Sequence, residues 1–148
     1  MNAIKMLKED HKKVKGLFRE YEKAGEKAFQ KKEEIARKAC EELEIHARIE
    51  EEIFYPAVDE DTSKEGSKLV DEAKEEHQIV KDLIAQLKDL KVEDKEFEAK
   101  FKVLTENVEH HIEEEEGEMF PEATKKLKDQ LEDLGAQMEE LKKELAPV

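Results

Sequence analysis

The sequence contains few of the residues that make turns, disulfides and membrane spans. Its 148 residues include one cysteine, three prolines, five glycines and no tryptophan. The single cysteine, Cys40, cannot form an internal disulfide, which favours a reducing compartment. No apolar run approaches the roughly 20 residues of a membrane-spanning helix, and the charged N-terminus lacks the apolar core of a signal peptide. We therefore predict a cytoplasmic protein without a membrane partner.

Positive charge is scarce relative to negative charge. Lys and Arg number 27 against 41 Asp and Glu, which gives a formal net charge of −14. Such a surface repels phosphate groups, so we expect no nucleic-acid partner. Charged residues make up 46% and hydrophobic residues 37% of the chain, a composition typical of helices with narrow apolar stripes. The length is that of one domain.

Apolar residues recur at helical spacing in four long segments, and no sustained alternation typical of strands is present in the sequence. The four stripes are Ile4, Leu7, His11, Val14, Phe18 and Tyr21; Ala39, Leu43, His46, Glu50 and Ile53; Val70, Ala73, His77, Val80, Ile84 and Leu87; and Phe101, Leu104, Val108, His111 and Glu115. They predict an all-α, up-down-up-down four-helix bundle over residues 1–121, in which the second and fourth helices end at Pro56 and Pro121.

Four histidines and two glutamates replace apolar residues within these stripes. They are His11, His46, Glu50, His77, His111 and Glu115. His46 and Glu50 are four residues apart, as are His111 and Glu115, so each pair lies on one helix face and can reach one point. All six side chains are therefore expected to face the bundle interior.

The spacing of the histidines along the chain places them at one level. In an up-down bundle, two residues at equal height lie equally far from the turn between them. The midpoints between successive histidines fall near Ala28, at residues 61–63 and at Asp94, in or beside segments with turn signals or a weak apolar pattern. Four antiparallel helices thus bring the four histidines together.

A buried hydrogen-bond network is the alternative to a metal site. A lone histidine in a stripe is usually a hydrogen-bonded core residue. Burying four imidazoles and two carboxylates without metal, however, requires a partner for every group. Imidazole and carboxylate ligands without thiolate suit iron, manganese or zinc, and six ligands fit two ions better than one tetrahedral zinc. If both glutamates bridge, one coordination position on each metal stays open.

The chain resembles the hemerythrin-like, or HHE cation-binding, domains over about residues 1–121. The motifs that carry the resemblance are Asp10 and His11 in the first helix; His46, Glu50, Tyr55 and Pro56 in the second; Glu76 and His77 in the third; and His111, Glu115, Phe120 and Pro121 in the fourth. Ferritin-like di-iron bundles are disfavoured, because they carry Glu-x-x-His twice and no histidine here follows that pattern.

The resemblance implies two non-haem iron ions, oxo- or hydroxo-bridged, held by the six residues named above. It favours a protein that binds and reacts with a small oxidant: dioxygen, peroxide or nitric oxide. A dioxygen or iron sensor or store without turnover is an alternative, and a metal-free interaction module is another. No catalytic acid or base can be assigned from the sequence.

The sequence departs from the oxygen-carrying hemerythrins, which look like five-histidine sites with a pair of histidines four apart on the third helix. The position four before His77 is Ala73. His110 is rotated about 100° from His111 on the helix and is expected to be a boundary residue. Reversible oxygen transport is therefore disfavoured.

Several residues outside these motifs have simpler interpretations. We interpret Cys40 as small buried filler, and Tyr21 and Tyr55 as aromatic residues at helix ends. Residues 122–148 form an additional amphipathic helix whose stripe is Leu127, Leu131, Leu134, Met138, Leu141 and Leu145. We expect this helix to dock on the bundle or to pair with a second chain, in a monomer or weak homodimer.

Overall fold

Helices account for nearly all of the chain that the structure describes. The structure is a computed structural model that describes residues 1–61 and 64–146, with only the backbone of Asp61, and no strand occurs within these ranges. The helices are α1 (Ala3–Lys23), α2 (Phe29–Ile49), α3 (Tyr55–Asp61), α4 (Lys64–Lys88), α5 (Lys95–Glu114), α6 (Phe120–Lys126) and α7 (Leu131–Leu145). The predicted all-α bundle is confirmed. None of these helices is long and apolar enough to cross a membrane.

The helix breaks fall where the histidine spacing placed them. Ala24 has an extended backbone with ψ of 140° and ends α1. Asp94 is also extended and precedes α5. The first and third predicted turns are therefore confirmed. The second was predicted at residues 61–63, and Thr62 and Ser63 lie outside the described residues.

Two π-helical turns lie just before Pro56 and Pro121, and the second and fourth long helices continue through them past these predicted ends. They span Glu50–Phe54 and Glu115–Met119 and join α2 to α3 and α5 to α6. In each turn the carbonyl of the first residue accepts a hydrogen bond from the N–H five residues later. Pro56 and Pro121 follow directly and have no N–H for an α-helical bond. The prediction that the helices end at these prolines was wrong, because the wider turn passes the missing donor without breaking the helix.

The apolar core has two parts, one on each side of the histidine level. The turn-side core lies towards the α1–α2 and α4–α5 turns and includes Val14, Phe18, Tyr21, Ile35, Ile84, Leu87, Phe97, Phe101, Leu104, Val108 and Ile112. The tail-side core includes Ile4, Leu7, Phe54, Tyr55, Val70, Ala73, Met119, Phe120, Leu131, Leu134 and Met138. Because each long helix contributes to both cores, the fourth through its continuation into α6, the polar residues between the cores are held on rigid elements.

The C-terminal helix α7 packs on the bundle of its own chain, against α1, α2 and the first π-helical turn. Met138 at its centre is fully buried. Gly135 lies so close to the N-terminal segment that an added Cβ would overlap the carbonyl oxygen of Met1 and approach the backbone nitrogen of Ala3 to 2.9 Å. The apolar stripe of the tail is therefore occupied within the chain.

Replacement of Gly135 by alanine tests this contact. Alanine is favoured over glycine in a helix by about 1 kcal/mol, but the overlap with backbone atoms costs about 1–3 kcal/mol. We expect Gly135→Ala to lower Tm. Gly16→Ala in α1 is the matched control, because a Cβ there meets nothing within 4 Å. That variant should keep or raise Tm, and an equal gain in both variants would contradict the docking of α7.

Candidate metal centre

The structure brings all six predicted site residues together between the two cores. They are His11 from α1, His46 from α2, Glu50 at the start of the first π-helical turn, His77 from α4, His111 from α5 and Glu115 at the start of the second π-helical turn. Glu50 is 0% exposed and Glu115 is 2% exposed. Two carboxylates this deeply buried need compensating positive charge.

Each buried glutamate lies between histidines of two different helices. One oxygen of Glu115 is 3.1 Å from Nε2 of His11, and the other is 3.2 Å from Nε2 of His111. Oε1 of Glu50 is 3.1 Å from Nε2 of His77 and 3.3 Å from Nε2 of His46. The four Nε2 atoms therefore point at one pair of carboxylates.

The donor atoms form two neighbouring groups that share Glu50. One group contains His11, His46, Glu50 and Glu115, and the other contains Glu50, His77 and His111. Within each group all donor atoms lie within 4.8 Å of one another. Glu115 also reaches the second group through its contact with His111. Each of these groups could hold a cation.

Several of these donor atoms are buried and make no hydrogen bond of good geometry, although some lie within ion-pair distance of one another. They are Nε2 of His11 and His46, both carboxylate oxygens of Glu50, and Oε1 of Glu115. Unpaired buried polar atoms cost on the order of 1–3 kcal/mol each, more when charged. Bound cations would satisfy all five atoms at once. The donor set of imidazole and carboxylate fits iron, manganese or zinc.

A second set of carboxylates orients the histidines. A carboxylate can only accept, so each histidine Nδ1 donates to it: His11 to Glu116 (2.7 Å), His46 to Asp10 (3.1 Å), His77 to Glu51 (2.8 Å) and His111 to Glu76 (2.8 Å). These bonds turn every Nε2 towards the centre, as in other carboxylate–histidine–metal sites.

In the sequence, Glu51 and Glu116 look like the other glutamates of their charged runs, yet both take part in the site. Their side chains are only 29% and 33% exposed, because each binds a histidine on a neighbouring helix. The sequence carried one signal: both directly follow a buried glutamate in the repeated His-x3-Glu-Glu motif. The partner of each could not be predicted from spacing within one helix.

The buried carboxylates make two of the histidines strong bases when no metal is bound. Burial alone would lower the pKa of His46, but Glu50, Asp10 and Glu115 raise it to about 10. Burial likewise opposes charge on His111, while Glu115, Glu76 and Glu50 raise its pKa to about 11. Burial alone would raise the pKa of Glu115, yet His11 and His111 hold it well below the usual range. Without metal, protonated His46 and His111 therefore supply positive charge next to the buried glutamates.

Comparisons with known proteins agree with this arrangement. The model of the hemerythrin HHE cation-binding domain matches residues 2–123. The crystal structure of an HHE cation-binding domain-containing protein from Mycobacterium kansasii has a TM-score of 0.83 at 28% identity and covers 98% of this chain and 87% of that chain. An uncharacterized Mycobacterium tuberculosis protein is 32% identical over 142 residues, or 93% of this chain and 83% of its own. A DNA nickase from a Nostoc species is 31% identical over 120 residues, or 81% of this chain. This chain spans 33% of the nickase's length.

The chain belongs to the hemerythrin HHE cation-binding domain family. The resemblance seen in the sequence is thereby confirmed, and the His/Glu cluster of this hemerythrin domain lies where a cation-binding site is expected. The roles of the six individual residues as ligands remain predictions.

Tyr55 is a site residue that the sequence interpretation missed. Its hydroxyl donates to Oε2 of Glu115 at 2.6 Å and lies 3.2 Å from Nε2 of His77 and 3.3 Å from Nε2 of His111. Burial, Glu115 and Glu50 raise its pKa well above 10, so the phenol stays neutral and donates. The interpretation as a simple helix-end aromatic was wrong for Tyr55.

The internal repeat contained the signal for Tyr55. Tyr55 and Phe120 both follow the His-x3-Glu-Glu motif at the same distance. Phe120 stacks on His11 with ring centroids 5.8 Å apart, and Tyr55 lies 5.3 Å from the ring of His77. The two halves of the hemerythrin site are therefore alike except for one hydroxyl, which only the half with Tyr55 carries.

The remaining candidates lie outside the centre. Tyr21 packs on Phe101 in the turn-side core, with ring centroids 4.2 Å apart. His110 is exposed and pairs with Glu114 at 2.9 Å, so it is a surface residue and not the boundary residue that was expected. Ala73 is buried in the tail-side core with Tyr55.

Metal loading should release protons from this hemerythrin site. Cations displace the Nε2 protons of His46 and His111, whose metal-free pKa values lie near 10 and 11. Calorimetry at neutral pH in buffers of different ionisation enthalpy should show this release, and metal affinity should rise with pH. Binding heats that do not depend on the buffer would contradict the assignment.

The metal-free protein should show the corresponding stability profile. A raised histidine pKa stabilises the fold fully below the ordinary value of 6.5, and this contribution is lost as pH rises towards 10 or 11. Denaturation of metal-free protein should therefore become easier in that alkaline range, and His46→Ala should reduce the effect. Full stability up to pH 11 in the wild type would count against the pairing of His46 and His111 with the buried glutamates.

Two tyrosine-to-phenylalanine variants separate the roles of the hydroxyls. Tyr55→Phe removes a charge-assisted hydrogen bond to Glu115 and should lower the free energy of unfolding by about 1–3 kcal/mol. Tyr21→Phe is the control, because the buried Tyr21 hydroxyl has no partner and its loss should cost nothing. Urea denaturation of metal-free protein measures both. Equal losses would mean that Tyr55 contributes only through its ring.

Proposed function

We propose that this hemerythrin domain holds two non-haem iron ions and reacts with a small oxidant: dioxygen, peroxide or nitric oxide. The observation that supports the proposal is the pair of adjacent His/carboxylate groups that share Glu50 and contain buried donor atoms without a hydrogen bond of good geometry. Two metal ions in one site can clamp both atoms of a small diatomic unit. When bound, the irons would supply one electron each to such an oxidant.

The proposed ligands are His11, His46, Glu50, His77, His111 and Glu115. Glu50 and Glu115 would bridge, because each has contacts with histidines of both groups. Four outer carboxylates accept hydrogen bonds from the histidine Nδ1 atoms: Asp10, Glu51, Glu76 and Glu116. They hold the imidazoles in the tautomer whose Nε2 is free to bind a cation. The Tyr55 hydroxyl offers a proton donor next to the Nε2 atoms of His77 and His111.

Access to the centre is provided by a cavity between α2 and α4. Its volume is about 440 Å³, and all four histidines of the proposed site line it. An oxidant can therefore reach the donor groups without unfolding a helix. We do not extend the nicking activity named for the Nostoc protein to this chain, which matches a third of that protein's length and carries a net charge of −14.

A sensor without turnover is the second candidate, and one contact favours it. Nζ of Lys142 in α7 donates to Oδ1 of Asp10 at 2.6 Å, and the other oxygen of Asp10 accepts from His46. Burial alone would raise the pKa of Asp10, but His46 and Lys142 lower it overall. Asp10 is therefore ionised and binds both partners as a carboxylate. A change of charge at His46 on metal binding would thus reach the C-terminal helix.

Metal analysis tests the proposal. Protein purified without chelator or nickel affinity resin should contain about two irons per chain, because the six proposed ligands form two neighbouring donor groups and not one coordination sphere. His111→Ala should lose metal and lower Tm together, since metal binding contributes to folding free energy. His110→Ala removes the neighbouring exposed histidine and should change neither. A reproducible single zinc per chain, or equal losses in both variants, would refute the proposal.

A further inference from the structure

The cavity at the centre is larger than a small oxidant needs. Its volume is about 440 Å³, whereas a water-sized molecule takes up about 30 Å³ in a liquid. Binding sites for small organic molecules span about 300–1,000 Å³. Dioxygen, hydrogen peroxide or nitric oxide would fill only a small part of this space, so the cavity also has room for a bulkier ligand beside the metal site.

Aliphatic side chains make most of the cavity wall, and the four histidines lie at its inner end. The apolar lining is made by Val14, Leu43, Val80, Ile84, Val108 and Ile112. These side chains belong to all four long helices of the bundle. A wall of this kind binds hydrocarbon by excluding water, at a gain roughly proportional to the area that is covered.

The charged side chains that line the cavity, within the described residues, already have partners. At its edge Lys81 pairs with Glu51 at 2.8 Å, and Lys88 pairs with Glu44 at 3.0 Å. The other charged lining residues, Asp10, Glu42 and Arg48, pair with Lys142, Lys13 and Glu52. A charged ligand would have to break one of these pairs, so the lining favours an uncharged one.

A second cavity lies next to the first along α2. Its volume is about 730 Å³, and it shares Glu44, Ile84 and Lys88 with the first cavity. Its far part is lined by Ala36, which lies ten residues, or about 15 Å along the helix axis, from His46. Seven residues of its lining are charged: Glu33, Arg37, Glu41, Glu44, Lys88, Lys91 and Glu93. The ion pair between Glu44 and Lys88 lines both cavities, so only the first cavity offers apolar space next to the histidines.

We propose that the first cavity binds an uncharged aliphatic hydroperoxide, with its O–O group at the histidine end and its chain along Val80 and Ile84. This assignment rests on the proposed function, which supplies the two irons. In one turnover the O–O bond breaks and takes up two electrons, one from each iron(II), and two protons from solvent. The products are an aliphatic alcohol, one water and two iron(III) ions.

Binding of straight-chain alcohols tests the cavity without any redox step. The probe is a series from 1-butanol to 1-octanol, titrated calorimetrically into the metal-loaded oxidised protein. We expect affinity to rise about fourfold per added methylene while the chain stays within the apolar lining. Val80→Phe, which fills the wall, should weaken 1-octanol binding at least tenfold. Val103→Phe is the control at an exposed α5 position outside the cavity and should not change it.

Single-turnover kinetics with the iron(II) protein tests the substrate class. Val80→Phe should slow oxidation by 1-octyl hydroperoxide at least tenfold and leave oxidation by hydrogen peroxide within about twofold, since the smaller oxidant does not need the wall. Absence of 1-octanol binding, or equal slowing of both oxidants, would overturn the inference while leaving the proposed function intact. If metal analysis shows no iron and 1-octanol still binds, the proposed function fails and only the cavity assignment survives.

Discussion

The burial of Glu50 and Glu115 at the centre of the bundle is the constraint on which the rest of the structure depends. Both carboxylates are essentially without solvent contact. An isolated buried charge is strongly unfavourable, so the surrounding helices must supply positive charge from several directions. Four imidazoles surround them, one from each long helix, and the raised pKa values of His46 and His111 show which two supply the charge. The four-helix architecture is thus the smallest arrangement that surrounds these two carboxylates with histidines at one level.

The outer carboxylates extend this alternation of charge to the protein surface. Each histidine lies between an inner and an outer carboxylate, and the outer one comes from a different helix. Asp10 adds a further step, because it joins His46 to Lys142 in the C-terminal helix. Metal binding at the centre and the packing of the helices should therefore affect each other. Cations in the centre would tighten the helices, and loosening of the helices would turn the imidazoles away.

The periodicity of the sequence was sufficient to predict the fold and the inner residues. Apolar stripes repeat every three to four residues, and His46 with Glu50 and His111 with Glu115 share helix faces by simple geometry. The distance of each histidine from the turns placed all four at one level, and the structure agrees. These features depend only on spacing within helices and on the antiparallel order of the helices.

Features that depend on contacts between helices could not be predicted in this way. Glu51 and Glu116 look like the other surface glutamates until the rotation of the neighbouring helices is known. The two π-helical turns were missed because Pro56 and Pro121 signal a helix end equally well. The side chain of Tyr55 differs from that of Phe120 only by its hydroxyl group. The role of this hydroxyl becomes visible only from its hydrogen bond to Glu115.

The measurement that tests the central claim most directly is an anomalous-scattering crystal structure of the iron-loaded protein, recorded at the iron edge. The account predicts two peaks between Glu50 and Glu115, about 3.5–4 Å apart or closer if a further group bridges them. One peak should be bound by His11 and His46 and the other by His77 and His111, all through Nε2. A single peak, or metal bound through the Nδ1 atoms in place of the outer carboxylates, would contradict the account.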